Sequence, residues 1–304
     1  MSQIKKVNNI FLITVMFAVG GSLFMGAFSV GKDNELFSLL AAQLLYVIPA
    51  ILYLKSSGGN IKERLRFNRI KGSTMILLIL FSYLITPLLT YLNIVSMLFS
   101  KNMIQNTIDG IVKNYPMAVG IIAVGLIPCI LEETIYRGVF FNEYRKINPR
   151  KGILISGFLF GLMHMNWNQF VYAFVMGMIF AVLVEASDSI IASMIVHFTI
   201  NTTSVVTAYI QSEMAFVTAP NEMVLEEEQL KMYLCNYWIV VVFFGILAFF
   251  LLKQIAKNQG RKEELNALFF NNGKEKEVQA PFFTLPLVLG SLICIFIMIG
   301  VEVL

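Results

Sequence analysis

The sequence predicts an all-α, polytopic transmembrane bundle of eight to nine helices, and three observations carry that prediction. Hydrophobic residues make up 57% of the 304 and charged residues 14%, with a mean hydropathy of +0.73. A soluble domain with that balance would expose too much apolar surface, so lipid is the solvent the composition fits. The apolar residues also fall into runs near the ~20 residues that a helix needs to cross a bilayer. Finally, Lys and Arg concentrate in alternate gaps between those runs, which is how a membrane protein is oriented.

The runs are 9–31, 36–54, 74–99, 117–141, 152–165, 168–186, 189–211, 236–252 and 282–301. The first follows Met1 to Lys6 and looks at its start like a signal sequence. It continues to about Val30 without a small-residue cleavage site, so an uncleaved first helix is the better reading. The fifth and sixth runs need an argument. Gly152 to Val184 holds no Asp, Glu, Lys or Arg, which is long for one crossing and short for two. Asn166-Trp167-Asn168 in its middle reads as a tight interfacial turn with Trp at headgroup level.

Charge decides for two crossings. With nine crossings and a cytosolic N-terminus, the inner segments carry 18 Lys and Arg and the outer ones four: Lys32, Lys101, Lys113 and Lys231. A single crossing at 152–186 would move the six basic residues of 253–281 outside, against the positive-inside rule. The predicted location is therefore the cell membrane, multi-pass. The outer stretch 212–235 holds Glu222, Glu226, Glu227 and Glu228, which carry little orienting weight. The stretch 253–281 is hydrophilic enough to be partly disordered. No repeat or second domain is visible, so 1–304 reads as a single integral membrane domain.

The net charge of +4 and pI near 8.8 do not point to nucleic acid, because the basic residues sit in short loops between apolar runs. Cys129, Cys235 and Cys294 show no metal-ligand spacing and read as buried small hydrophobes. The 16 methionines read as packing and lipid contact.

Ionisable groups inside apolar helices are costly and mark function. One run carries Glu132-Glu133-Thr134-Ile135-Tyr136-Arg137, and the two histidines of the chain, His164 and His197, each fall inside apolar runs. Glu133 and Arg137 are four apart and share a helix face, so they read most simply as a structural ion pair. Glu132, rotated by about 100°, points elsewhere and is left for chemistry. His197 and Asn201 share a face, as do Phe160 and His164. Alone, either histidine is as well explained as a helix linker, and Asn201 as interhelical glue. Glu185 and Asp188, at a helix end, read as a solvated turn, and nothing singles out Tyr136.

Depth links the separate helices. Glu132 precedes Arg145 by 13 residues, His164 follows Lys151 by 13, and His197 follows Asp188 by nine. At 1.5 Å per residue, each lies roughly 14–20 Å from the inner flanking charges. A glutamate with two imidazoles and an amide is a workable hydrolytic set. Glu132 can take a proton from water and return it to a leaving amine. A histidine can orient that water or bind a metal that activates it. Asn201 and the other imidazole can donate to an oxyanion.

Glu132-Glu133-x-x-x-Arg137, Phe160-x-x-x-His164 and His197-x-x-x-Asn201, in that order, resemble the three motifs of the CPBP family. This is the CAAX protease and bacteriocin-processing group, which includes the type II CAAX prenyl endopeptidases and the Abi-type bacterial proteins. The resemblance covers about 131–201 and implies a helical core around a conical cavity open to the cytosol, with the catalytic helices within 117–211. It implies that Glu132 and His164 activate water, that His197 and Asn201 form the oxyanion hole, and that Glu133, Arg137 and Phe160 support the site. Family members are described both as metalloproteases and as glutamate-dependent enzymes without a catalytic metal. A divalent ion such as zinc stays open, with Glu132, His164 and His197 as its candidate ligands, and no His-Glu-x-x-His helix is present.

The expected function is thus hydrolysis of a peptide bond in a small or membrane-anchored polypeptide, prenylated or bacteriocin-like, with the lipid bilayer as the other partner. Two rival readings use the same residues. A non-catalytic scaffold or immunity protein would bind a partner through the cavity. A proton-coupled transporter would use the buried ionisable groups as a relay, but the hydropathy shows no matching pair of broken helices.

Overall fold

The computed structural model describes residues 3–31, 34–217, 227–270 and 282–303. The expectations for Lys32, Glu222, Glu226 and the basic pair Lys274 and Lys276 lie outside the described residues. The described residues form 12 helices and no strand. In order they are α1 (Gln3–Ala27), α2 (Glu35–Ser56), α3 (Ile61–Arg64), α4 (Gly72–Met97), α5 (Met103–Asn114) and α6 (Met117–Tyr144). There follow α7 (Pro149–Leu162), α8 (Trp167–Ser187), α9 (Ile190–Val217), α10 (Glu227–Gln259), α11 (Lys262–Phe270) and α12 (Leu285–Val303).

Among the described residues, eight helices are long and apolar enough to cross a bilayer: α1, α2, α4, α6, α8, α9, α10 and α12. The chain is a multi-pass membrane protein. The ninth predicted crossing is α7. Its 14 residues reach about 21 Å, short of the ~30 Å hydrocarbon core. It pairs with α8 as a helical hairpin, and the contact is backbone-close: a Cβ on Gly177 would stand 2.8 Å from the Gly157 Cα. Small residues at both positions let the two helices meet at that distance.

Because α7 and α8 run up and back, the two basic loops fall at one end of the bundle. Arg66, just before α4, bonds Glu185 and Asp188 at the end of α8. Lys71 reaches the Asn258 carbonyl at the end of α10, and Arg150 donates to the Leu268 carbonyl of α11. Asn8 of α1 joins Tyr144 of α6 at 2.5 Å and the Phe282 carbonyl before α12 at 2.8 Å. The N-terminus of α1 therefore lies at this basic end.

The opposite end is tied by amides and hydroxyls, with one carboxylate. Asn168 Nδ2 donates to Ser96 Oγ at 2.8 Å and to Asn93 Oδ1 at 3.1 Å, and Ser100 Oγ bonds Glu302 of α12. The turn at 166–168 is present, with Asn166 capping α8 by accepting from the Gln169 N–H. Both of its asparagines are buried, and Asn168 finds its partners on α4.

Two further expectations are corrected. Glu185 is not in a solvated turn. It is 5% exposed and bonds both Arg66 and Arg145, with Arg261 4.0 Å away, because a buried carboxylate needs such partners. Cys235 is exposed on α10, whereas Cys129 and Cys294 are buried. Within 253–281 the described residues are helical through Phe270, anchored by the buried Leu265, and 271–281 lie outside the described residues.

Candidate active site

The site is built on α6, which contains two π-helical stretches, Ile121–Leu126 and Thr134–Phe141. Each widens the helix by a residue per turn, a device that often accompanies functional positions. Glu132 and Glu133 close the α-helical stretch between them. Neighbours in sequence, they face different surroundings.

Glu132 lines a cavity of about 620 Å³. Its Oε1 accepts a hydrogen bond of 2.9 Å from Nε2 of Gln43 on α2, and its Oε2 lies 3.9 Å from Nε2 of His197. Glu133 is fully buried and lies 3.1 Å from the equally buried Arg137 guanidinium. The same Glu133 oxygen is 3.0 Å from Nδ1 of His197. A carboxylate can only accept, so Nδ1 carries the hydrogen, and in the neutral ring the Nε2 lone pair faces Glu132.

Arg137 is fixed by more than the ion pair. It donates to the Gly177 carbonyl at 3.1 Å, and its guanidinium lies 4.4 Å from the Phe160 ring centre and 5.0 Å from that of Phe180. Cation–π contact with two rings suits a charge removed from water. Phe160 in turn stands edge-on to His164, with centres 5.0 Å apart.

His164 follows the last turn of α7, and its Nδ1 lies 2.8 Å from the Phe160 carbonyl. That oxygen accepts, so Nδ1–H is the tautomer and Nε2 is left with its lone pair. Asn201 is oriented by a helix defect. Pro128 has no N–H to offer the Val124 carbonyl four residues back, and Asn201 Nδ2 donates to that carbonyl at 3.0 Å. One amide hydrogen of Asn201 is thereby engaged and the other is left over.

Glu132, Phe160, His164, His197 and Asn201 all line the one cavity, while Glu133 and Arg137 sit behind its wall. The structure adds Gln43, Tyr46 and Tyr136 to the lining and Phe180 behind it. Gln43 and Tyr46 are neutral groups on an apolar helix and carry no sequence signal. Tyr136 sits one turn from Glu132, and only its position on the cavity side distinguishes it.

The candidate metal ligands do not form a metal site. Among the described residues, no three His, Cys, Asp or Glu side chains converge to hold an ion. Glu132, His164 and His197 do not fit a zinc centre in this arrangement.

The cavity runs towards one end of the bundle. Beyond the site it is lined by Asn93, Asn102, Gln105, Ile108, Thr207 and Gln211. These belong to the end of α4, to α5 and to the second half of α9, away from the basic loops. A cavity open to the cytosol and basic loops in the cytosol cannot both hold in this structure. The helix α5, in a gap between apolar runs, is also new, and it forms part of the cavity wall.

Residues 114–203 match the family model described as type II CAAX prenyl endopeptidase Rce1-like. The match runs from the end of α5 into α9 and contains Glu132, Glu133, Arg137, Phe160, His164, His197 and Asn201. Gln43 and Tyr46 lie outside it. Comparison with curated proteins and with solved structures returned no match. The likeness agrees with the motif resemblance and is to a family of membrane endopeptidases.

Proposed function

We propose that this protein is an intramembrane endopeptidase of the cell membrane, with its N-terminus in the cytosol. One observation carries the reading: of two adjacent glutamates, Glu132 faces a cavity beside two imidazoles, while Glu133 is sealed into a buried pair with Arg137. The basic end of the bundle, where α1 begins, supports the orientation.

Glu132 acts as the general base. A water in the gap beside Glu132 has polar partners on both sides: it gives one hydrogen to the Glu132 carboxylate and the other to the Nε2 lone pair of His164 or of His197. Glu132 takes a proton as the water attacks a peptide carbonyl, and returns it to the amine as the C–N bond breaks. The remaining amide hydrogen of Asn201 stabilises the oxyanion. For His197 to donate from Nε2 as well, the ring must carry hydrogen on both nitrogens. The Glu133 carboxylate at Nδ1 is the partner such a charged ring needs. The substrate is a small or membrane-anchored polypeptide.

The test is cleavage of a quenched fluorescent peptide library, with lipidated and unlipidated members, by the purified protein in detergent. Cleavage by the wild type and none by Glu132→Gln is the expected result. A Glu132→Gln variant as active as the wild type would remove Glu132 from the mechanism.

A further inference from the structure

The two ends of the bundle differ in charge, and the cavity belongs to one of them. At the end where α4, α7 and α9 begin, Arg66, Arg145 and Arg261 gather around Glu185, with Lys71 and Arg150 beside them. At the other end the basic residues among the described ones are Lys101, Lys113 and Lys231. The positive-inside rule assigns the first end to the cytosol.

The cavity opens towards the other end. From Tyr46, Tyr136 and His197 within their helices it extends to Asn102, Gln105 and Gln211. The chain beside the mouth is tied into that end. Tyr209, two residues before Gln211, donates to the Tyr115 carbonyl at 2.7 Å, and Tyr115 donates to Asn34 at the start of α2 at 3.1 Å.

The walls also indicate what is bound. Among the described residues lining the cavity, Glu132 is the one carboxylate, and no Lys or Arg is present. The polar lining consists of amides and hydroxyls, such as Asn93, Gln105, Thr203 and Gln211. Such groups pair with the N–H and C=O of an extended peptide. A terminal carboxylate in a low-dielectric cavity would need a cation that these walls do not supply.

We infer that the cavity is entered from the non-cytoplasmic face and takes an uncharged internal segment of a polypeptide there. The face of access stands independently of any chemistry, whereas the segment rests on the endopeptidase reading.

The two halves are tested separately. In a Cys235→Ser background, which removes the exposed native thiol, Gln211→Cys at the cavity mouth and Lys257→Cys at the basic end are probed with a membrane-impermeant maleimide. Both positions are exposed, and the readout is labelling alone, which does not depend on turnover. Labelling of Gln211→Cys in intact cells, with Lys257→Cys labelled only after permeabilisation, is expected. The reverse pattern, or a Gln211→Cys that reacts only after permeabilisation, overturns the access half.

Purified wild type is then given one neutral quenched peptide as its free acid and as its C-terminal amide. Cleavage of the amide within about threefold of the acid is expected, and a loss of tenfold or more on amidation overturns the segment. A protein labelled as expected but inert towards every peptide would leave the orientation standing and remove the endopeptidase reading itself.

Discussion

The Glu133 carboxylate lies 3.0 Å from Nδ1 of His197, on the side of the ring away from Glu132, whose Oε2 is 3.9 Å from Nε2. One imidazole thus separates the two carboxylates of the pair, and it converts their adjacency in sequence into different tasks. Glu132 meets the cavity. Glu133 meets it only through His197.

That division predicts different effects of the same substitution. Glu132→Gln keeps the shape and the Gln43 contact but removes the base, so turnover falls by roughly 10²- to 10⁴-fold. Its melting temperature in detergent stays near that of the wild type. Glu133→Gln removes the anion beside buried Arg137, so both turnover and melting temperature fall. Equal melting temperatures for the two variants would contradict the assignment.

Arg137→Met leaves Glu133 buried without its cation. Removing one member of a buried ion pair costs about 3–5 kcal/mol, more than the net worth of the pair, because the other charge is stranded. Pairing it with Glu133→Leu should restore a large part of the lost stability without restoring activity, since His197 then lacks its partner at Nδ1. Denaturation of single and double variants in detergent measures the coupling.

Much of this site was legible because the membrane makes ionisable groups conspicuous. Glu132, Glu133, Arg137, His164 and His197 stand out in apolar runs, and similar distances from flanking charges placed three helices at a comparable depth. Neutral partners were not legible for the same reason: Gln43 resembles any polar residue in a helix, and its contact with Glu132 spans 89 positions. Glu185 was misread because its three arginines come from three separate loops that only the fold brings together. The π-helical stretches of α6 leave no hydropathy signature, since they alter helix winding but not composition. The direction of the cavity depends on α5, too short and polar to register as a crossing.

Gln43 supplies a prediction outside the family-matched segment. Its Nε2 donates to Glu132 at 2.9 Å, and Gln43 is 7% exposed, so it acts as a positioning residue for the base. Gln43→Met keeps the volume and removes the donor. A hydrogen bond to a charged group contributes about 1.5–3 kcal/mol, so kcat should fall roughly 10- to 100-fold. A change confined to KM would instead mark Gln43 as a substrate contact.

The basic end offers the converse case, stability without catalysis. Glu185 is buried beneath Arg66, Arg145 and Arg261, which come from the loop before α4, the turn after α6 and the turn after α10. Glu185→Gln would leave Arg66, itself 7% exposed, short of its buried counterion, while Asp188 still holds its other side. Arg145 and Arg261 are partly solvated, with side-chain exposures of 26% and 23%, so they lose less. The expected destabilisation is therefore about 3 kcal/mol, the lower part of the range for a broken buried pair. The cluster lies at the opposite end from the cavity mouth, so turnover per folded molecule should stay within about twofold of the wild type. A thermal-shift assay alongside active-site-normalised turnover checks both parts. A large loss of turnover in fully folded protein would mean that the basic end communicates with Glu132, because no residue of this cluster lines the cavity.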